Sequence, residues 1–172
     1  MKKLFVACLS VALLATGAVA SVDKLAQDTS GTGVEFQVGL AAPAADQITE
    51  DFEGGVPPAG WTVVDNTGSG VAWNTNTFWG MTNNTSGSGI CAAADSDGFG
   101  VAEFDTELIT ESYDFCGASA SGLAAAMYYE NFAGYDFLNI DYSIDGGSAW
   151  VNILSWNEDH GTEDVSLDIS AV

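Results

Sequence analysis

From Ile48 onward the chain is written in short apolar runs separated by Gly, Asn, Asp and Ser. The runs are ITEDFE, WTVVD, VAWNT, GICAAAD, FDTELIT, FLNIDYS, WVNILSW and DVSLDIS. Each has the length of a strand rather than of a helix. In FLNIDYS, Leu138, Ile140 and Tyr142 alternate with Asn139, Asp141 and Ser143. A strand points successive side chains to opposite faces, so this alternation predicts a half-buried strand. Many short strands with turn signals between them predict an all-β sandwich or barrel. No repeat of the length used by solenoids or propellers is visible.

One run is ambiguous. ASASGLAAAMYYENF, residues 118–132, carries enough Ala, Leu and Met to form a helix on propensity alone. Gly122 weakens that reading and predicted strands surround it, so residues 123–130 are read as a strand.

The N-terminal residues follow a different pattern. Met1-Lys2-Lys3 gives a short positive start, an apolar run follows, and Ala18-Val19-Ala20 fits a small-residue cleavage site. That order predicts a signal peptide over residues 1–20 and an exported, bacterial protein, secreted or held at the cell surface. The apolar run is too short for a spanning helix. Residues 21–47 read as a tail or linker, with one strand-like patch at 34–40 and a hinge at 41–45. The folded domain is expected over 48–172.

Charge narrows the partners. The chain has 24 acidic residues against three Lys and no Arg, a net charge of −21. With Lys2 and Lys3 removed, Lys24 alone opposes the acids, a net of about −23 (1 − 24). Such a field repels phosphate backbones and anionic lipid surfaces, which excludes nucleic acid and membrane surfaces as partners. The acids serve either as a solvating surface or, in part, as oxygen ligands for Ca²⁺. The two cysteines beyond the leader, Cys91 and Cys116, are a candidate disulfide in an exported chain. Their pairing needs Cα atoms within about 7 Å, which spacing alone does not give.

The order of motifs then becomes informative. DFEGGVPPAGWTVVD, VAWN, CAAADSDGFG, DTELIT, YSIDGGSAW and VSLDIS follow one another along residues 48–170. This series resembles the MAM-like jelly-roll modules of the cleaved-adhesin and choice-of-anchor J type. The resemblance implies a jelly-roll β-sandwich of antiparallel strands that binds ligands and is not itself a catalyst. It also implies two further strands after VSLDIS, so this chain reads as a jelly roll whose closing strands are missing. Where such modules carry Thr-Pro after the Leu-Ile pair, this chain has Thr110-Glu111.

The chemistry-bearing residues support binding better than catalysis. Jelly rolls of the resembled kind often hold a structural Ca²⁺, which makes Glu53 a candidate ligand. Asp95 and Asp97 flank Ser96 ahead of Gly98 and join it as candidates. Zinc lacks an N/S ligand set. His160, the one imidazole, lies in the polar run WNEDHGTED and reads as a solvated loop histidine. No Ser has the context of a nucleophile, so no enzymatic activity is expected. Jelly-roll sandwiches commonly bind sugars through exposed aromatic rings. Phe78 and Trp79, in the polar segment NTNTFWGMTNNTSGSG, and Tyr128 and Tyr129 are the candidate ligand-binding residues. Trp73, Trp150 and Trp156 are assigned to the core. The expected partners are glycans or extracellular proteins. An accessory domain of a secreted hydrolase and a ligand-free spacer are the alternatives.

YSIDGGSAW, Tyr142 to Trp150, comes close to the Asp-box pattern of sialidases, with Ala149 where Thr is usual. Sialidases grip a carboxylate with bidentate arginines, and this chain has none. The stretch is therefore read as a turn: Asp145 accepts backbone N–H groups, Gly146 and Gly147 take positive φ, and Trp150 anchors the return strand.

Overall fold

The computed structural model describes residues 5–6, 11–17, 46–95, 104–115, 118–131 and 136–170. Strands account for 43% of the chain against one short helical turn, so the fold is all-β. In chain order the elements are β1 (Phe5–Val6), β2 (Val11–Gly17), β3 (Asp46–Glu50), β4 (Thr62–Asp65), β5 (Asn74–Thr75) and α1 (Asn76–Trp79). There follow β6 (Ala92–Ala93), β7 (Thr106–Ile109), β8 (Ala118–Tyr129), β9 (Leu138–Tyr142), β10 (Val151–Trp156) and β11 (His160–Asp168). The expected strands each appear, some shortened. The ambiguous segment is the long strand β8, in which Gly122 pairs with Asp168 and sits close to the Leu167 carbonyl. The strand-like patch at 34–40 lies outside the described residues.

β8 is the axis of a five-stranded sheet. On one edge it pairs antiparallel with β11, from His160↔Tyr129 to Asp168↔Gly122. On the other it pairs antiparallel with β1 and β2, and β3 joins beyond β2. β9–β10, β4–β7 and β5–β6 form separate two-stranded ladders. The sheets are small and not closed.

Alternation along β8 builds the main core. Ala125, Met127 and Tyr129 are buried and pack with Leu138 of β9, Trp156 of β10 and Ala94. Ile140, Leu154, Leu123 and Val165 pack against this cluster, so the β9–β10 hairpin lies with its apolar face on β8 and β11. A second cluster joins Phe52, Trp61 and Ala92, with Ile48, Leu108 and Leu123 around it. Trp73 touches both clusters and ties them together.

The turn after β3 shows how the second cluster is set. The Glu50 carboxylate accepts the Phe52 N–H at 2.6 Å, and Phe52 takes a positive φ of 59°. A non-glycine residue there costs about 1–2 kcal/mol. The conformation swings the ring fully inside, edge-on to Trp61 with centroids 5.8 Å apart. Burial of a large aromatic ring more than offsets the strain.

Two expectations are corrected here. Trp150, expected in the core, is 48% exposed at the head of β10, directly after the Asp145 turn. His160 is not a loop histidine. It opens β11, stacks flat on Trp156 with centroids 3.9 Å apart, and places Nδ1 3.1 Å from the Glu163 carboxylate.

Candidate functional site

Phe78 and Trp79 stand on α1, a single helical turn inside the polar segment. The sequence encodes both of its ends. Thr75 is the N-cap, and its Oγ1 accepts the Phe78 N–H at 3.1 Å. Gly80 follows with φ 72°, and its N–H turns back to the Asn76 and Thr77 carbonyls. Asn76 is buried, with Oδ1 accepting the Cys91 N–H at 3.0 Å and Nδ2 donating to the Met81 carbonyl at 3.2 Å. These bonds fasten the turn to the end of β6.

The two rings have different surroundings. Trp79 is half-buried: its Nε1–H donates to the Ala93 carbonyl at 3.1 Å and its ring packs on buried Cys91 and Ala93. Phe78 is 60% exposed and meets Trp79 edge-on, with centroids 4.9 Å apart. Tyr128 packs on the same Cys91–Ala93 shelf, so Trp79 and Tyr128 flank one small apolar floor. The Tyr128 hydroxyl donates to the Glu130 carboxylate, and that bond pushes its pKa up to about 12, with desolvation adding to it. The phenol therefore stays a neutral donor in any physiological setting.

Tyr129 does not belong to this surface. Adjacent residues of a strand face opposite ways, so Tyr128 and Tyr129 cannot share one. Tyr129 is fully buried in the main core, and its hydroxyl accepts from Asn131 Nδ2 at 2.9 Å. Burial pushes its pKa up to about 12. The strand assignment of β8 already contained this result, and pairing the two tyrosines overlooked it.

The candidate calcium ligands fare differently from one another. Glu53 Oε1 accepts the Ile90 N–H at 2.8 Å, closing the loop of residues 80–90 over the turn that follows β3. Gly89, with φ 77°, lets the loop pass so close that a Cβ there would collide with that carboxylate. Asp95 is buried at the end of the β6 ladder. Asp97 lies outside the described residues, as does Cys116, so the Cys91–Cys116 pairing falls there too. Cys91 itself is buried. Among the described residues no group of three His, Cys, Asp or Glu side chains is placed to hold a metal ion.

The Asp-box stretch folds as the turn it was read to be. Asp145 Oδ1 accepts the Ala149 N–H at 2.9 Å and the Ser143 hydroxyl at 2.8 Å, and Ser143 Oγ accepts the Gly147 N–H at 2.9 Å. Gly146 and Gly147 have φ of 71° and 87°. The Ala149 N–H and the Ser143 hydroxyl hold the Asp145 carboxyl below its ordinary value. Asp65 does the same at the end of β4, accepting the Gly70 N–H at 2.7 Å. Near the Asp145 turn three large apolar side chains are exposed: Ile144 by 77%, Val151 by 50% and Trp150 by 48%. Sequence reasoning missed the exposure of Trp150; its signal was the position directly after the turn.

No helix among the described residues is long and apolar enough to cross a membrane. Comparison of the chain with protein-family models, with curated proteins and with solved structures gives no match.

Proposed function

We propose that the chain is a non-catalytic binding module of the jelly-roll kind that engages neutral glycans through Phe78, flanked by Trp79 and Tyr128. The observation that carries the reading is Phe78: a large apolar ring, 60% exposed, on a turn fixed at both ends. Its removal from solvent is left to a ligand, and an apolar pyranose face is the right size and flatness to cover it. The neutral Tyr128 hydroxyl and the Glu130 carboxylate beside it suit sugar hydroxyls. A net charge of −21 opposes sialic acids and uronic acids, which leaves neutral sugars. The face-to-face packing of the β9–β10 hairpin on β8 and β11 supports the jelly-roll reading.

The test is Phe78→Ala on a glycan array and in erythrocyte agglutination, beside the parent. Binding by the parent and at least a tenfold loss in the variant, with the melting temperature kept, is the expected result. Equal binding by both would remove Phe78 from the site. The exposed ring of Trp150 favours a second reading, adhesion to an extracellular protein. In that case Trp150→Ala, and not Phe78→Ala, abolishes adhesion.

A further inference from the structure

β11 (His160–Asp168) pairs with β8, and no other described strand pairs with it. The Ile169 N–H donates to the Ser121 carbonyl at 2.9 Å. The register then sets Leu167, Val165 and Glu163 opposite Leu123, Ala125 and Met127. Bonded and non-bonded pairs alternate along an antiparallel ladder. The odd-numbered residues therefore turn their N–H and C=O groups to β8, and Asp164, Ser166 and Asp168 turn theirs away from it. An edge of this kind is a template for one more strand.

The side chains beside that edge set its charge. Asp164, Ser166 and Asp168 lie on one face, all exposed, and Glu163 is exposed on the other. The Ser86 hydroxyl donates to Asp164, and Asp168 Oδ1 accepts the Ser170 N–H at 2.8 Å, so both carboxylates are held in place. A second copy is opposed. Antiparallel pairing of two such edges about Ser166 sets Asp164 opposite Asp168 twice, and pairing about Asp164 sets that carboxylate against itself. Each chain brings a net charge of −21 to the contact. Nor does this chain carry a strand of the opposite charge: it has no Arg, and its lysines are Lys2, Lys3 and Lys24.

We propose that the outer edge of β11 docks an extended basic segment of another protein, which adds as an antiparallel strand. Lys or Arg residues four positions apart then stand opposite Asp168 and Asp164, and the residue midway between them stands opposite Ser166. Backbone bonds to the three outward peptide groups supply affinity, and the acid–base pairs fix register and reject acidic partners. The edge holds whether or not Phe78 binds glycans.

The experiment uses the full chain and three synthetic peptides, read by fluorescence anisotropy at 0.15 M salt. The first, acetyl-TKVTVKT-amide, has its two lysines four apart. The second replaces both lysines with glutamate. The third keeps the lysines but is N-methylated at the central threonine, which removes one strand hydrogen bond and leaves the charge unchanged. The lysine peptide should bind and the glutamate peptide should not. N-methylation should weaken binding roughly tenfold, the scale of one lost hydrogen bond. Asp164→Asn with Asp168→Asn should weaken it by about as much or more, with the melting temperature kept. Amide exchange at Asp164, Ser166 and Asp168 should slow on addition of the lysine peptide. Equal binding by the N-methylated peptide would overturn the proposal, since charge alone would then account for the contact. So would equal binding by the double variant, or protection that leaves those three amides unchanged. If the double variant fails to fold, the N-methylated peptide and exchange in the unaltered chain decide.

Discussion

Two tryptophans of this molecule sit on turns built by the same local rules, and they meet opposite fates. Trp79 ends a turn capped by the Thr75 hydroxyl and closed by Gly80 at positive φ. Trp150 follows a turn held by the Asp145 carboxylate with Gly146 and Gly147 at positive φ. Beyond the turn the resemblance stops. Trp79 anchors its ring N–H to Ala93 and rests on a buried shelf, whereas Trp150 is about half exposed, with Gly147 beside its ring. Local hydrogen bonding fixes the shape of a turn, but the element beneath it decides whether its aromatic residue is structure or surface. Phe78 gains from this, because it meets the anchored Trp79 ring edge-on.

Truncating the two rings should give the largest contrast. Trp79→Ala removes packing on Cys91 and Ala93 and leaves the Ala93 carbonyl without its indole partner. A loss of roughly 2–3 kcal/mol is expected, below the range for a fully buried tryptophan. Trp150→Ala should cost less than about 1 kcal/mol, the usual range for a surface position. Urea denaturation of both variants checks the pair. Equal losses would mean that the shelf supports Trp79 no better than the hairpin supports Trp150.

A change of pH separates the regions a second time, now on the alkaline side. Tyr128 beside the Trp79 shelf and Tyr129 in the core both have pKa values pushed up to about 12 from an ordinary 10.0. A group whose folded value is raised contributes stability that is complete below its unfolded value and lost as pH rises through the folded one. Stability should therefore fall between pH 10 and about 12. Absorbance at the phenolate band should show late-titrating phenols, and Tyr128→Phe should remove one of them. Loss of an early-titrating phenol in Tyr128→Phe, with the late ones all kept, would mean that the Glu130 bond does not form.

What the sequence revealed follows the range of each interaction. Strand periodicity, the long β8, the Asp145 turn and the exposure of Phe78 rest on residues within a few positions of one another, and all were legible. The capped turn α1 is written locally too, in Thr75 and Gly80 on either side of it, and sequence analysis took the segment only as polar. The placement of Trp150 was not, because burial at the head of β10 depends on what packs over the hairpin, and no local pattern fixes that. The stacking of His160 on Trp156 spans only four positions, yet the polar run around His160 gave no sign of it. Tyr129 was legible and misread, since period two had already separated it from Tyr128. The role of Glu53 in fastening Ile90 spans 37 positions, and no local pattern announces it.

The smallest expected effect lies in acid, on the Asp145 turn. Its carboxyl is held below the ordinary 3.8 by the Ala149 N–H and the Ser143 hydroxyl. A depressed folded value gives stability that is present above the unfolded value and lost as pH falls through the folded one. Protonation below pH 3.8 should thus loosen the hairpin tip. Asp145→Asn keeps the acceptor oxygen but removes the charge, so its melting temperature should fall less steeply between pH 5 and 2.5 than the parent's. Asp65→Asn offers the matching control, because the Gly70 N–H depresses Asp65 in the same way at the end of β4. If Asp145→Asn follows the parent's slope while Asp65→Asn does not, the hairpin turn contributes nothing to acid stability. The β4 turn then accounts for the effect alone.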